Sequence, residues 1–189
     1  KFQSAISDLE VEQIEVRGKI WELKYFLEEG TFNFGVETDE NGVVLKRMSM
    51  NHVVIATTRP ETLLGDTAVI VNPSDERYRD LIGKSVILPL VGRKIPVIPD
   101  DYADPLKGTG AVKITPAHDF NDNALGEKHQ LEFIDIFNDD ATLNHHGLEF
   151  EGMDRFVARK KIAKALEESG YLVKKESYRH KVGISERTK

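Results

Sequence analysis

Short apolar runs stopped by Gly, Pro, Asn or Asp recur along this chain and never settle into a strand–helix–strand rhythm. A doubly wound parallel sheet needs that rhythm, so the pattern argues against it. Near the start, Leu9 and Val11, then Trp21, Leu23 and Tyr25, alternate with Glu and Lys, the period-two signature of half-buried strands. Strands are predicted at 9–16 and 19–27, then at 32–37 and 43–47 across Asp39-Glu40-Asn41-Gly42, where Asn-Gly favours a hairpin turn. Further strands are predicted at 52–57, 68–71, 85–88, 94–98, 111–115, 133–137 and 171–173. Three helices are predicted among them. Ser74 caps 75–81 before Gly83; Asn121 or Asp122 opens one reaching His129; Asp154 caps 154–169, with Phe156, Ile162, Ala163 and Leu166 as its stripe and Gly170 beyond. The class that fits is a mixed, β-rich α+β domain: a closed or nearly closed β-barrel decorated by a few helices.

A chain of 189 residues is one domain with a sizeable core. It begins with Lys1 rather than Met, as a piece of a longer chain does, and it lacks a secretory leader and any apolar run of membrane-spanning length. The expectation is a cytoplasmic protein with no membrane partner. The absence of cysteine excludes disulfides, thiolate zinc sites and cysteine nucleophiles. A net charge of -6 speaks against a general nucleic-acid binder. Basic residues nonetheless cluster at Arg155, Arg159, Lys160, Lys161 and Lys164, and again from Lys174 to the end, so either a solvated helix face or a local contact with one RNA end fits.

No G-x-x-x-x-G-K-[ST] occurs, Gly108-Thr109-Gly110 opens a strand without the third glycine of a dinucleotide fingerprint, and no G-x-S-x-G elbow is present. The chemistry concentrates in two segments: Thr57-Thr58-Arg59-Pro60-Glu61-Thr62, and Gly108 through Lys113, Thr115, His118 and Asp119 to Asp122. Each couples an apolar strand to a turn crowded with hydroxyls, a cation and carboxylates, a mixture suited to a ligand bearing both a phosphate and an amine. Lys113 and Thr115 share one strand face, and a lysine turned inward needs an anion. Asp119 and Asp122 both stand at a helix start; capping accounts for one and leaves the other to meet a cation. His118, Asp119 and His129 match no metal-binding spacing, and His145-His146 reads as a polar loop.

Residues 56–69, Asn72-Pro73, Asp75 to Tyr78, Pro89 to Pro96, 108–122 and Gly152 to Phe156 with Ala158-Arg159-Lys160 closely resemble the editing domain inserted into valyl-tRNA synthetases. The likeness covers about 5–185. The isoleucyl type carries Thr-Pro-Trp where this chain has Arg59-Pro60-Glu61, and the leucyl type continues differently from Gly65-Asp66-Thr67-Ala68-Val69, so the valyl type is preferred. The signatures of the synthetic site are missing. Family members often place Phe before the Gly-Thr-Gly turn, where this chain has Lys107.

The resemblance implies a single editing domain over 1–189, with 1–30 and 171–189 as strands connecting it to the synthetase body. It implies hydrolysis of threonine wrongly esterified to the 3′ end of tRNA(Val), with no cofactor or metal in this domain; ATP and Mg serve the parent enzyme elsewhere. Carried over residue by residue, Asp122 meets the α-ammonium, while Thr58, Thr62 and Thr115 orient the ester and a water. Arg59 and Lys113 meet the terminal nucleotide or its phosphate, Asp119 the threonine hydroxyl, and Glu61 and His118 complete the binding set. Two alternatives remain: a non-catalytic module docking the tRNA acceptor end, which Asp122 and Lys113 converging on one pocket would tell against, and a metal hydrolase through His118, Asp119 and His129, which unchanged activity in EDTA would end.

Overall fold

Alternating burial of Trp21, Leu23, Tyr25 and Leu27 turns one face of the first strand into the core. The computed structural model describes residues 11–185, so the predicted start at Leu9 and the last four residues lie outside the described residues. The first strand, β1 (Val11–Leu27), runs unbroken through both segments predicted as separate. Gly18, in the expected gap, pairs opposite Tyr178 on the last strand of the chain, and that ladder keeps it extended. Further along, β1 exchanges partners. It leaves the last strand at Leu23, after a bulge at Glu22, and pairs through Phe26 and Leu27 with Ser85–Ile87 on the same side.

The other elements are β2 (Phe32–Thr38), β3 (Val44–Met50), β4 (His52–Thr57), β5 (Ala68–Val71), β6 (Ser85–Ile87), β7 (Lys94–Pro99), β8 (Ala111–Ile114), α1 (Phe120–Lys128), α2 (Arg155–Glu168) and β9 (Leu172–Ser185). The main sheet runs β4-β1-β6-β7-β5-β8 with β9 added to β1, and β2 and β3 form a separate hairpin. Only the β5–β7 pairing along that path is parallel. Counting direction strand by strand, β4 and β8 run the same way. The sheet curls until these two ends lie side by side, nearly closing a barrel. Their carboxyl ends therefore open on one rim, and the two chemistry-bearing turns leave from it.

Leu23, Ile55, Leu64, Val69, Val86 and Val97 fill the barrel without solvent contact to speak of. On the outside, α2 lays Ala158, Ile162 and Leu166, four residues apart, against the 3₁₀ turn Pro60–Gly65. The predicted stripe is thus corrected at Phe156, which is 51% exposed because it belongs to the opposite side of the first turn.

Two other predictions fail for local reasons. Over 75–81 only Arg79–Leu81 forms a 3₁₀ turn: the Ser74 amide donates back to Asn72 Oδ1, and Asp75 is committed to the Arg77 side chain. No strand forms at 133–137. Ile134 and Ile136 do point inward, but apart from the single bridge Phe137–Leu143 no neighbouring strand pairs with them. Alternation there reports burial, not a ladder.

The rim depends on close packing of the 3₁₀ turn. A methyl on Gly65 would lie 2.8 Å from the Ile134 carbonyl oxygen and 3.3 Å from Thr115 Cγ2. Gly65→Ala is therefore expected to destabilise the chain by about 1–3 kcal/mol in denaturant titrations. An unchanged midpoint would show that these backbones part freely.

Candidate active site

The turn after β4 is shaped by its own hydroxyls. Thr57 Oγ1 accepts from the Arg59 amide at 3.1 Å, and Thr62 Oγ1 donates to the Arg59 carbonyl at 3.0 Å. After β8, His118 N–H closes a turn onto the Thr115 carbonyl at 3.0 Å, and Asp119 Oδ1 caps α1 through the Asn121 and Asp122 amides. Between the turns lies a cavity of about 300 Å³. Thr58, Arg59, Thr62, Lys113, Thr115, His118, Asp119 and Asp122 all line it, so Asp122 and Lys113 do converge.

Glu61 is the exception. It is fully buried behind the cavity, held by Arg159 of α2 through two hydrogen bonds of 2.7 and 2.6 Å, with Arg59 Nε 3.6 Å away. Arg159, read from sequence only as part of a basic face, is the partner that makes the buried carboxylate tolerable. Lys107 is 84% exposed beside Asp104 and does not line the cavity. Apolar lining comes instead from Ile20, Ala56, Val112 and the ring of Tyr102.

Behind the cavity, bonded to Lys113 and Thr115 of its lining, stands a residue that sequence reasoning did not assign. Asp66, just past the 3₁₀ turn, has no solvent exposure. Its Oδ1 accepts from Lys113 Nζ at 2.8 Å and the Thr115 hydroxyl at 2.6 Å; its Oδ2 accepts from the Tyr25 hydroxyl at 2.7 Å. Lys113 Nζ also reaches Thr62 Oγ1 at 3.1 Å and contacts Thr115 Oγ1. The anion required by the inward lysine, whose side chain is 10% exposed, is thus supplied by the protein itself. Burial pushes the Asp66 carboxyl up, while Lys113 and the two hydroxyls draw it back down. Burial, then the Asp66 charge, pushes Tyr25 well above its ordinary value, so its hydroxyl remains a donor. A lysine predicted to face inward was the available signal that a carboxylate must lie near.

The two aspartates at α1 divide as their spacing suggested. Asp119 is the exposed cap, and Asp122 is buried at the cavity wall, its Oδ2 accepting from the Thr115 amide at 2.8 Å. Burial pushes the Asp122 carboxyl up to about 6, against the Thr115 amide and Lys113, which lower it; Asp119 and Asp66 add to the rise. The His118 Nε2 accepts from the Ile136 amide at 3.0 Å. An amide can donate only to an unprotonated nitrogen, so the ring is neutral with its proton on Nδ1. Burial lowers its pKa in the same sense. His129 lies against Asp100 at 2.6 Å, engaged with a different partner from His118. Among the described residues no group of three or more His, Asp or Glu is gathered in a way that could hold a metal ion. Nor is any helix among them long and apolar enough to cross a membrane.

No protein-family model matches the chain. It is 53% identical over 190 residues to the valine–tRNA ligase of Caulobacter vibrioides, and 50% identical over 206 residues to that of Agrobacterium fabrum. Those alignments take in 99–100% of the chain. Along its whole length the chain matches a segment of valyl-tRNA synthetases. It spans 21–22% of the length of these two relatives. Its fold is shared with the crystal structure of GlLeuRS-CP1, at a TM-score of 0.57 and 16% identity, over 84% of this chain and 98% of that one. The valyl preference read from the turn after β4 therefore stands, on the nearly closed, helix-decorated barrel expected of a synthetase editing domain.

Asp122 links the site to stability. Its folded pKa lies above the unfolded value, so its contribution is fully present below the unfolded pKa and is lost as pH rises through about 6. Asn keeps an oxygen for the Thr115 amide without the charge. Asp122→Asn is expected to gain on the wild type as pH rises from 4 to 7.5, by roughly 1–2 kcal/mol after allowance for the open cavity. A stability difference that is flat with pH, measured by thermal unfolding, would contradict this ionisation.

Proposed function

We propose that the seam cavity is a hydrolytic editing site that removes threonine from mischarged tRNA(Val). The observation that carries the reading is the convergence on one cavity of an ionisable carboxylate, Asp122, bonded among the described residues to the Thr115 amide alone, and a fixed cluster of Lys113 and hydroxyls. A carboxylate both neutralises and accepts from an α-ammonium. Thr58, Thr62 and Thr115 surround the ester and a water. Lys113, already balanced by Asp66, holds the Thr62 and Thr115 hydroxyls in place and presents positive potential to the reacting carbonyl. Arg59, at the cavity mouth and anchored to the His118 carbonyl at 3.1 Å, is placed for the terminal nucleotide or its phosphate. The Asp119 oxygen not used in the cap is available to the threonine hydroxyl.

His118 Nε2 is committed to the Ile136 amide and Asp122 to the α-ammonium, so a terminal ribose hydroxyl of the substrate assists the water. The reading uses no metal or cofactor here, leaving ATP and Mg to the synthetic site of the larger enzyme, joined through the β1–β9 ribbon. The need is physical. Valine and threonine are near-isosteres, and this enzyme class is itself the reference case in which an apolar pocket rejects the hydroxylated one by only about 10². A second, polar pocket can accept threonine and leave valine with unsatisfied partners.

In the full-length enzyme, Asp122→Ala is expected to slow hydrolysis of threonyl-tRNA(Val) at least tenfold, the loss of a charge-assisted hydrogen bond of roughly 1.5–3 kcal/mol. Wild-type kcat/KM should fall below about pH 6 as Asp122 takes up a proton. EDTA should leave the rate unchanged. An Asp122→Ala enzyme at full speed would remove the ammonium clamp from the account.

A further inference from the structure

Phe120, the first residue of α1, is 97% exposed, the barest large apolar side chain among the described residues. Singly exposed apolar residues are common and mean little. This one forms a wall of a second, shallow cavity of about 270 Å³ with Pro116, Ala117, His118, Asp119 and Asn123. His118 and Asp119 line the seam cavity as well, so the two open side by side across that pair of residues. The lining of the second cavity contains no lysine or arginine and one carboxylate. A phosphate would meet repulsion there. A flat, neutral, aromatic group would meet an exposed ring, apolar Pro and Ala surface and the Asn123 side chain.

We propose that this second cavity binds the base of the nucleotide preceding the esterified one, stacked on Phe120. The proposal rests on the seam cavity being the ester site, because continuity with that site places the adjoining nucleotide here. An RNA end entering the seam cavity is single-stranded, and unstacked bases are held on aromatic faces with little regard to sequence. The phosphate between the two nucleotides then lies towards the half-exposed guanidinium of Arg59 on the seam-cavity side.

The test compares two substrates in the full-length synthetase: threonyl-tRNA(Val), and the threonyl ester of the terminal nucleoside alone, which has no preceding base. Phe120→Ala is expected to lower kcat/KM on the charged tRNA about fivefold or more. The nucleoside ester should be cleaved at the wild-type rate. Phe120→Leu, apolar but without a π face, should behave like Ala, and Phe120→Trp should restore the tRNA rate. Thermal unfolding of all three should match wild type, since the ring touches little in the fold. Equal losses on both substrates, or none on the tRNA, would overturn the stacking site. A wild-type enzyme that cleaves neither ester would instead overturn the reading of the seam cavity, so the two failures are distinct.

Discussion

A carboxylate without solvent contact, Asp66, ties together three parts of the chain that the barrel brings to one rim. It takes the Tyr25 hydroxyl from β1 and the Lys113 ammonium and Thr115 hydroxyl from β8, and it sits itself where the Pro60–Gly65 turn ends. Burying an ion pair is favourable only if the remaining lone pairs and protons are satisfied. Here they are, so the pair holds Lys113 in the cavity lining without a ligand. An ammonium that needs no reorganisation when charge develops nearby is what electrostatic catalysis requires.

The topology explains why so local an arrangement forms from residues fifty positions apart. Parallel alignment of β4 and β8 at the unpaired seam puts the carboxyl ends of both strands on one rim, and each strand is followed by a turn tied through its own side chains. Three aspartates then receive three different environments. Asp66 is enclosed and matched by donors, Asp119 caps a helix in water, and Asp122 is buried with only the Thr115 amide bonded to it. That last environment raises its pKa and leaves it the one carboxylate among them still to be satisfied.

Much of this was legible in the residues. Period-two alternation near the start and short apolar runs bounded by turn residues further on located nearly every barrel strand, and the two motif segments named the cavity wall almost completely, because hydroxyls and charges in turns after apolar strands have few structural uses. Capping chemistry correctly reserved one aspartate at α1 for the helix. What stayed hidden depended on pairing across long sequence separations. Nothing local in Lys174 to Ser185 announces a long strand; the ladder with β1 makes one. The alternation of Ile134 and Ile136 reported burial but could not say that no neighbouring strand was there. Glu61 looked like a site residue because its neighbours are, and only the approach of Arg159 from α2 shows that it faces away. Asp66 carries no signal of its own among the threonines around it; the inward Lys113 is the residue that demands such a partner.

The most direct test is the ratio of deacylation rates of threonyl-tRNA(Val) and valyl-tRNA(Val) in the full-length enzyme, with the synthetic reaction held idle. A cavity lined by Asp119, Thr115 and Asp122 should hydrolyse the threonyl ester at least about 10²-fold faster, the margin by which an apolar synthetic pocket falls short. Equal rates on both esters would contradict an editing role for this cavity.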